Sequence, residues 1–227
     1  MIPEILHEDN HLIIVNKPFG VLTHGDRTGD ASIEDIVRLY VKEKYAKPGN
    51  VYLKAVHRLD RPVSGALILA RTSKAHERMA LQFKKHLVHK TYWALTARRP
   101  SPNAGTVSQF IRKDTARNTV SWHDTSGDGR REAVTEYKVL KHIEPYYLIK
   151  LHPVTGRSHQ LRVMLRSKRC PIIGDVKYNG RAVSNPRSIM LHSRIIRFTH
   201  PVSKEDLMIE APLPDLEEWN YVAAIGL

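Results

Sequence analysis

The sequence contains a single cysteine, Cys170, and no long apolar run. One cysteine can form neither an internal disulfide nor a cysteine-based zinc site. Apolar stretches such as Gly65–Ala70 have the length of a buried strand and are too short for a transmembrane helix. The first residues lack the basic flank and the apolar core of a secretory signal. We therefore expect a cytoplasmic protein that does not span a membrane.

Acidic residues are scarce in two separate blocks of the chain. Residues 51–100 carry 11 basic and 2 acidic side chains, net +9, and residues 151–200 carry 10 and 1, also net +9. The formal charge of the whole chain is +13. If the two blocks meet in the fold, they form a basic cleft suited to a polyphosphate such as RNA. The alternative is a scattered, solvated basic surface, whereas a membrane surface is disfavoured because no basic amphipathic helix with an aromatic face occurs.

The signatures of common cofactor and metal sites are missing. The sequence has neither a P-loop nor the glycine-rich loop of dinucleotide-binding proteins. The segment Asp124–Arg131 begins like a calcium loop, but Thr135 stands where the twelfth-position glutamate belongs, which favours a polar turn. Thirteen histidines occur without the spacing of a metal-binding motif. We therefore expect no cofactor and no metal.

The periodicity of apolar residues predicts the fold class. Ser32 and Asp35 form a capping box, and apolar residues then recur at helical spacing up to Tyr45. Further helices are predicted over Ser73–Lys85 and Ser158–Lys168. The predicted strands are Ile5–His7, Leu12–Val15, Gly65–Ala70, Thr91–Ala97, Thr106–Ile111, Ala133–Val139, Tyr146–Leu151, Ser188–Leu191, Ile195–His200 and Leu207–Glu210. Because helices and strands do not alternate strictly, we expect an α+β fold with a mixed, mostly antiparallel central sheet and flanking helices.

One carboxylate lies in an unusual place. Asp60 is one of only two acidic residues in the block 51–100, and it lies close to Arg58 and Arg61. It could simply form a neutralising salt bridge with these arginines. The opposite charges also favour the ionised carboxylate, and an ionised carboxylate in a phosphate-attracting cleft could act as a nucleophile or a base toward a nucleotide.

The segment around Asp60, Val56–Gly65 (VHRLDRPVSG), resembles the signature of the RluA-type RNA pseudouridine synthases. The resemblance continues along nearly the whole chain. Its other segments are Asn16–Gly20 (NKPFG), Lys90–Tyr92 (KTY), Pro153–Arg162 (PVTGRSHQLR), Pro171–Asp175 (PIIGD) and Leu191–His192 (LH). This resemblance implies a pseudouridine synthase catalytic domain with an active-site cleft, occupying residues 1–227 without an N-terminal RNA-binding module.

The resemblance also implies roles for individual residues. Asp60 would begin cleavage of the glycosidic bond, as nucleophile or as base, and Arg162 would pair with Asp60. Tyr92 would stack on the freed base, although without the resemblance it could equally be a core tyrosine. Arg58 would fill the gap that a flipped-out uridine leaves in the RNA. Further candidates for binding RNA are Lys90, Arg157, His159 and Arg166.

Three positions depart from the family pattern. Val63 stands where the family usually has threonine, and Met164 and Cys170 stand where histidines are common. The departures concern contacts to the substrate and leave the chemistry unchanged. We expect a monomeric enzyme that needs no protein partner and isomerises uridines in structured RNA, either rRNA or tRNA.

Two other function classes remain as alternatives. An inactive RNA-binding protein of the same fold is disfavoured by the joint presence of Asp60, Tyr92 and Arg162. A metal-dependent nuclease would need clustered carboxylates, which the two basic blocks lack.

Overall fold

The computed structural model describes residues 2–226. Two compact units are present: the residues up to Lys90 with Ser193–Pro214, and Thr91–His192 with the residues from Asp215 onward. Within residues 2–226 the strands are β1 Glu4–Glu8, β2 Leu12–Lys17, β3 Lys54–Ala55, β4 Ser64–Ala70, β5 His89–Thr96, β6 Ala104–Asp114, β7 Thr119–His123, β8 Arg131–Ile143, β9 Tyr146–Pro153, β10 Leu191–Thr199 and β11 Asp206–Glu210. The α-helices are α1 Ile33–Lys44, α2 Ser73–Lys84, α3 Gln160–Ser167 and α4 Glu217–Ala223, and Val176–Tyr178 forms a 3-10 helix.

The first unit is built on β1, β2, β4 and β10, which lie side by side in that order. The short strand β3 pairs with β4, and β11 pairs with β10. Every residue of β4 is buried, as expected for a strand that is apolar apart from Ser64 and has neighbours on both sides. Helix α2 packs Ala75 and Met79 against the core formed by these strands.

Gly65, at the start of β4, permits a close approach between two strands. A Cβ atom at this position would lie 2.4 Å from the carbonyl oxygen of Ser193, and the φ angle of Gly65 is +113°. Only glycine accommodates both the contact and the dihedral angle. The Ser193 hydroxyl in turn donates to the carbonyl oxygen of Ala66 at 3.2 Å. The strand that follows Asp60 is therefore held closely against β10.

The second unit contains β5, β9, β8, β6 and β7 in that order, and all four pairings between neighbours are antiparallel. Strands β6 and β7 form one hairpin and β8 and β9 another, and β8 also pairs with β6, so each strand pairs with one near it in sequence. Helix α3 covers this sheet, with Val163 packed into a cluster that includes Ile111, Val120 and Ala133. The first turn of α3 thus lies against β6, β7 and β8.

The predicted fold class is confirmed, since residues 2–226 form a mostly antiparallel α+β fold with four helices. The capping box is also confirmed: the Ser32 side chain accepts from the Asp35 N–H, and the Asp35 side chain accepts from the Ser32 N–H. The separate strand predicted over Ser188–Leu191 is wrong, because β10 begins only at Leu191. The Ser188 N–H instead closes a turn onto the Asn185 carbonyl oxygen, in a segment where Asn-Pro favours a turn.

Some elements were not predicted at all. Strands β3 and β7 and helix α4 are short, so the apolar periodicity over each is too brief to stand out. Among the described residues, no helix is long and apolar enough to cross a membrane.

Candidate active site

Asp60 lies in the loop between β3 and β4, and its main chain is fixed on both sides. On one side, the Thr23 hydroxyl donates to the carbonyl oxygen of Leu59 at 2.8 Å and accepts from the Leu59 N–H at 3.1 Å. On the other side, the Val63 N–H donates to the Asp60 carbonyl oxygen at 3.0 Å and closes a turn. Thr23 and Leu59 are buried, whereas Asp60 itself is only half-buried. The loop therefore presents a carboxylate on a constrained backbone.

Lys17 ties the turn after β2 to the residue that follows Asp60. Its Nζ atom donates to the carbonyl oxygens of Pro18 at 2.9 Å, Val21 at 2.7 Å and Arg61 at 3.4 Å. Lys17 is completely buried, and this burial lowers its pKa to about 7, against the opposing effect of the nearby Asp60 carboxylate. The lysine of the Asn-Lys-Pro segment thus serves as an internal cross-link beside the candidate catalytic residue.

Arg61 makes the same connection from the opposite direction. Its Nε atom donates to the carbonyl oxygen of Gly20 at 3.0 Å, while the Gly20 N–H donates to the Arg61 carbonyl oxygen at 2.8 Å. Its Nη2 atom donates to the Asp30 carboxylate at 2.6 Å. Both sequence neighbours of Asp60 are therefore anchored to the N-terminal segment, which explains why two motifs that lie 40 residues apart in the sequence belong to one site.

His57 is a half-buried acceptor inside the same loop. Its Nε2 atom accepts from the Ile68 N–H at 3.1 Å, so the ring carries its proton on Nδ1. Burial is the main cause that lowers the pKa of His57 to about 3, and the charge of Lys90 acts in the same direction. The ring stacks on Phe83 with 4.9 Å between the ring centroids. His57 is accordingly a neutral structural residue at physiological pH.

Two of the predicted RNA-binding residues lie in this unit. Arg58 is exposed two residues before Asp60. Lys90 lies with its Nζ atom 5.9 Å from the centroid of the Phe83 ring, and burial lowers its pKa. Lys90 is thus packed more deeply than a typical phosphate-binding lysine, whereas Arg58 is free to reach solvent.

Tyr92 lies in the second unit, in β5, opposite Leu151 of β9. Its side chain is buried, with 8% of its surface exposed. Both interpretations of Tyr92, as a base-stacking residue and as a core tyrosine, agree with this degree of burial. Next to it, the Thr91 hydroxyl and His152 Nδ1 are 3.3 Å apart and form a hydrogen bond between β5 and β9.

The loop that precedes α3 is held by the side chain of Gln160. Its amide nitrogen donates to the Val134 carbonyl oxygen and to the Thr135 hydroxyl, both at 2.9 Å. Its amide oxygen accepts from the Thr155 hydroxyl at 2.8 Å and from the Arg157 N–H at 3.0 Å. One glutamine therefore fixes both ends of the Thr-Gly-Arg turn to β8.

Arg157 and His159, both predicted to bind RNA, have different environments in this loop. Arg157 is exposed, and its Nε atom donates to the Glu132 carbonyl oxygen at 3.1 Å. His159 is buried, and its Nδ1 atom lies 2.7 Å from the hydroxyl of Tyr178, which accepts from the Val120 N–H at 2.9 Å. This placement gives His159 a packing role and leaves little of its surface for RNA.

Arg162 forms a buried bidentate ion pair with Asp175. Its Nε and Nη2 atoms donate to the two carboxylate oxygens of Asp175, each at 2.7 Å. Both side chains are nearly inaccessible to solvent, and the Arg162 guanidinium carbon also lies 5.1 Å from the centroid of the Tyr178 ring. Asp175 thus orients this arginine. The pairing of Arg162 with Asp60 remains a prediction.

Arg166 follows Arg162 by one helical turn, and its guanidinium carbon lies 5.8 Å from the centroid of the Trp122 ring. Arg166 is half-buried, and Trp122 is exposed. Arg157, His159, Arg162 and Arg166 are therefore all brought together by one loop and one short helix, in the second unit.

Sequence reasoning gave no role to Lys17, Thr23, Gln160 or Asp175. One signal for Asp175 was present: it is the only acidic residue in the basic block 151–200, just as Asp60 is isolated in the other block. No comparable signal exists for Thr23, because its partner Leu59 lies 36 residues away in the sequence.

Comparisons with known proteins agree with these motifs. The family model described as RNA pseudouridylate synthase matches residues 11–167. The chain is 36% identical over 212 residues to Ribosomal large subunit pseudouridine synthase C of Rickettsia prowazekii, an alignment that covers 92% of this chain and 68% of that protein. It is 34% identical over 253 residues to the mitochondrial Pseudouridylate synthase RPUSD4 of Xenopus tropicalis, covering 93% of this chain and 77% of that protein.

A solved structure is also similar. Human RNA Pseudouridylate Synthase Domain Containing 4 superposes with a TM-score of 0.78 at 28% identity, over 97% of this chain and 91% of that chain. The fold and the relatives together define an RNA-modifying isomerase. The chain belongs to the RNA pseudouridylate synthase family, as the RluA-type motifs predicted. It is therefore a pseudouridine synthase, and its substrate is RNA.

Proposed function

We propose that this enzyme converts uridines of large-subunit ribosomal RNA to pseudouridine, with Asp60 as its catalytic residue. The observation that carries the assignment of Asp60 is the fixed backbone on both sides of a half-buried carboxylate. A carboxylate held in one geometry can act at a single atom of a bound nucleotide. The ribosomal substrate is supported by the relatives from Rickettsia, whose name specifies the large ribosomal subunit.

The reaction exchanges one bond of the nucleotide for another. The bond between C1′ of the ribose and N1 of uracil breaks, and a bond between C1′ and C5 forms. C5 then loses its proton and N1 gains one, so no external reactant is consumed. Asp60 begins the cleavage as nucleophile or base, Arg162 pairs with Asp60, and Tyr92 stacks on the freed base and assists removal of the C5 proton.

The remaining roles concern the RNA itself. Arg58 occupies the gap that the flipped-out uridine leaves in the RNA, which agrees with its exposure beside Asp60. Lys90, Arg157, His159 and Arg166 are the other candidate contacts, among which the exposed Arg157 is best placed. Residues 1–227 act as one catalytic domain.

We further propose that the enzyme is a cytoplasmic monomer that needs no protein partner. The single cysteine, which is buried and can form no disulfide within the chain, supports the cytoplasmic assignment. Sedimentation of the purified protein at the concentration used for the assay tests the monomer, and a dimer there would refute it.

The experiment that tests the function uses transcribed large-subunit rRNA labelled with tritium at C5 of uridine. Because C5 loses its hydrogen when the new bond forms, release of tritium into water reports the reaction. The wild-type protein should release tritium from this rRNA, and Asp60→Asn should release none while its RNA affinity stays within a few-fold. Asp128→Asn, in the exposed turn between β7 and β8, is the matched control and should behave as wild type.

Each part of the proposal can fail separately. Release by Asp60→Asn would refute the catalytic assignment. Release from labelled tRNA but not from rRNA would refute the ribosomal substrate and leave the enzyme class unchanged.

A further inference from the structure

A groove in the second unit is lined by four arginines. It has a volume of about 590 Å³, and its floor includes Pro171 and Ile173. The arginines that line it are Arg98, Arg166, Arg169 and Arg181. Arg166 is half-buried and the other three are exposed. The groove is thus apolar at its base and carries a strong positive charge at its walls.

Among the described residues, no carboxylate neutralises the four guanidinium groups. Within residues 2–226, none of them has a carboxylate oxygen within 4.0 Å, and none belongs to an ion pair. Like charges placed together repel one another, and this repulsion is offset when an anion binds between them. The groove therefore has a positive electrostatic potential that favours binding of an anionic ligand.

The backbone at the end of helix α3 fixes the position of Arg169. Helix α3 ends in a Schellman motif, in which the Cys170 N–H donates to the Leu165 carbonyl oxygen at 2.9 Å and the Arg169 N–H donates to the Arg166 carbonyl oxygen at 3.0 Å. This motif places Arg169 in the left-handed region, with φ +59°. Glycine or asparagine normally occupies that position, because a larger side chain is strained there. The motif therefore fixes the Cα of Arg169 at the end of α3, where its side chain lines the groove.

The other segments of the groove are also held by main-chain hydrogen bonds. The Thr96 hydroxyl donates to the Arg98 carbonyl oxygen at 2.8 Å, and the Gly174 N–H donates to the Arg181 carbonyl oxygen at 2.7 Å. The Cα atoms of the arginines are therefore fixed, while their long side chains can still adapt to a ligand. Such a framework lowers the entropic cost of ordering the site.

From these observations we infer that the four-arginine groove is a binding site for the phosphodiester backbone of RNA. The inference rests on the proposed function, since it takes the polyanion to be the RNA substrate. Guanidinium groups bind phosphate oxygens through two parallel hydrogen bonds, which suits a chain of phosphates. The apolar floor suits sugar and base surfaces between those phosphates, and Arg166 is already stacked near Trp122.

The test is a salt titration of RNA binding with charge-removing variants. The probe is a fluorescent oligouridylate of about 20 nucleotides, and the variants are Arg98→Gln/Arg181→Gln and Arg169→Asn. Each phosphate contact on a single strand contributes about 0.7 to the slope of log affinity against log salt. Loss of one contact should therefore weaken binding about fivefold at 0.1 M salt, and loss of two about 25-fold, with slopes reduced by about 0.7 and 1.4.

Two matched controls separate the groove from general charge effects. Lys204 is another exposed cationic residue in the left-handed region, with φ +68°, and it lies in the first unit, so Lys204→Asn mirrors Arg169→Asn. Lys42→Gln/Lys47→Gln removes two exposed charges near the end of α1. Both should bind the probe as wild type does. Arg169→Asn should also unfold at the same or a higher temperature than wild type, because asparagine tolerates the left-handed conformation.

Three outcomes would overturn the inference. The groove variants could bind the probe with the wild-type slope, or weaken no more than the lysine controls. An oligoglutamate of equal charge could bind wild-type protein more tightly than the oligouridylate does and lose that binding in the groove variants, which would assign the groove to an acidic peptide. Tritium release by Asp60→Asn would instead refute the catalytic proposal and leave the binding result in place.

Discussion

The hydroxyl of Thr23 bonds to both main-chain polar groups of Leu59, the residue before Asp60. In a strand or helix, other main-chain groups would satisfy the N–H and C=O of Leu59. In this loop the Thr23 side chain satisfies both. We expect Thr23→Val, which keeps the shape and removes the hydroxyl, to lower the free energy of unfolding by about 1–3 kcal/mol, because the N–H and C=O of Leu59 are left buried without a partner.

The same variant should affect catalysis. A small displacement of Asp60 should lower kcat by about tenfold to a hundredfold with little change in KM, since substrate binding does not depend on this loop alone. Urea denaturation and steady-state tritium release measure the two effects. Thr125→Val, at an exposed position, is the control and should change stability by less than about 0.5 kcal/mol. Wild-type kcat in Thr23→Val would show that this bond does not position Asp60.

Lys17 gives a prediction for alkaline pH. Its pKa is about 7 in the folded protein and 10.5 in the unfolded chain, so between these values the unfolded chain binds more protons. Stability should therefore rise as the pH increases from about 7 toward 10, by at most about 1.4 kcal/mol per pH unit from this group. Lys17→Met should lack this contribution. Parallel curves of unfolding free energy for the two proteins between about pH 7 and pH 9 would contradict the prediction.

Local signals explain which parts of the fold were predictable. The Ser32–Asp35 capping box is readable within four residues, and it correctly located the start of α1. Helix α4 has only seven residues, and its buried Trp219 contacts the ring of His192, which lies far away in the sequence. The β10 boundary was misplaced for a related reason: the apolar run before Leu191 is buried by irregular pairing, such as the bond from the Leu95 N–H to the Met190 carbonyl oxygen.

The candidate active site shows the same difference between local signals, which the sequence reveals, and contacts between distant segments, which it does not. Asp60 was recognisable from its motif, but the motif does not state that Lys17 and Thr23 fix the adjacent residues, because those contacts join segments that lie 36 to 44 residues apart. Asp175 stood in a recognised motif, and its role appears only when the bidentate geometry to Arg162 is known.

His57 gives a prediction for acidic pH. Its pKa is about 3 in the folded protein and 6.5 in the unfolded chain, so the unfolded chain binds more protons between these values. Stability should therefore fall as the pH decreases from about 6.5 toward 3, by at most about 1.4 kcal/mol per pH unit from this residue. His57→Gln keeps an acceptor for the Ile68 N–H and should make this decline shallower. His86→Asn, at an exposed left-handed position, should leave the decline unchanged in the same acid titration.

The amide of Gln160 gives a prediction for hydrogen exchange. Gln160→Met removes four hydrogen bonds that hold the Thr-Gly-Arg turn. The free energy of unfolding should fall by about 2–3 kcal/mol, and the Arg157 N–H should exchange faster than in wild type. Gln82→Met is the matched control, because it removes amide bonds to Thr199 in the first unit. If the Arg157 N–H exchanged equally fast in both variants, the glutamine would not be what holds the turn.

The buried pair of Arg162 and Asp175 allows stability and activity to be separated. Arg162→Met leaves the Asp175 carboxylate buried without its cation, and breaking a buried pair in this way costs about 3–5 kcal/mol. Arg162→Met/Asp175→Asn removes both charges, so most of that loss should be recovered in urea denaturation. Activity should not recover, because the proposed partner of Asp60 is still absent. A double variant as unstable as Arg162→Met would show that the pair does not account for the loss, and recovered tritium release would exclude a direct role of Arg162 in the reaction.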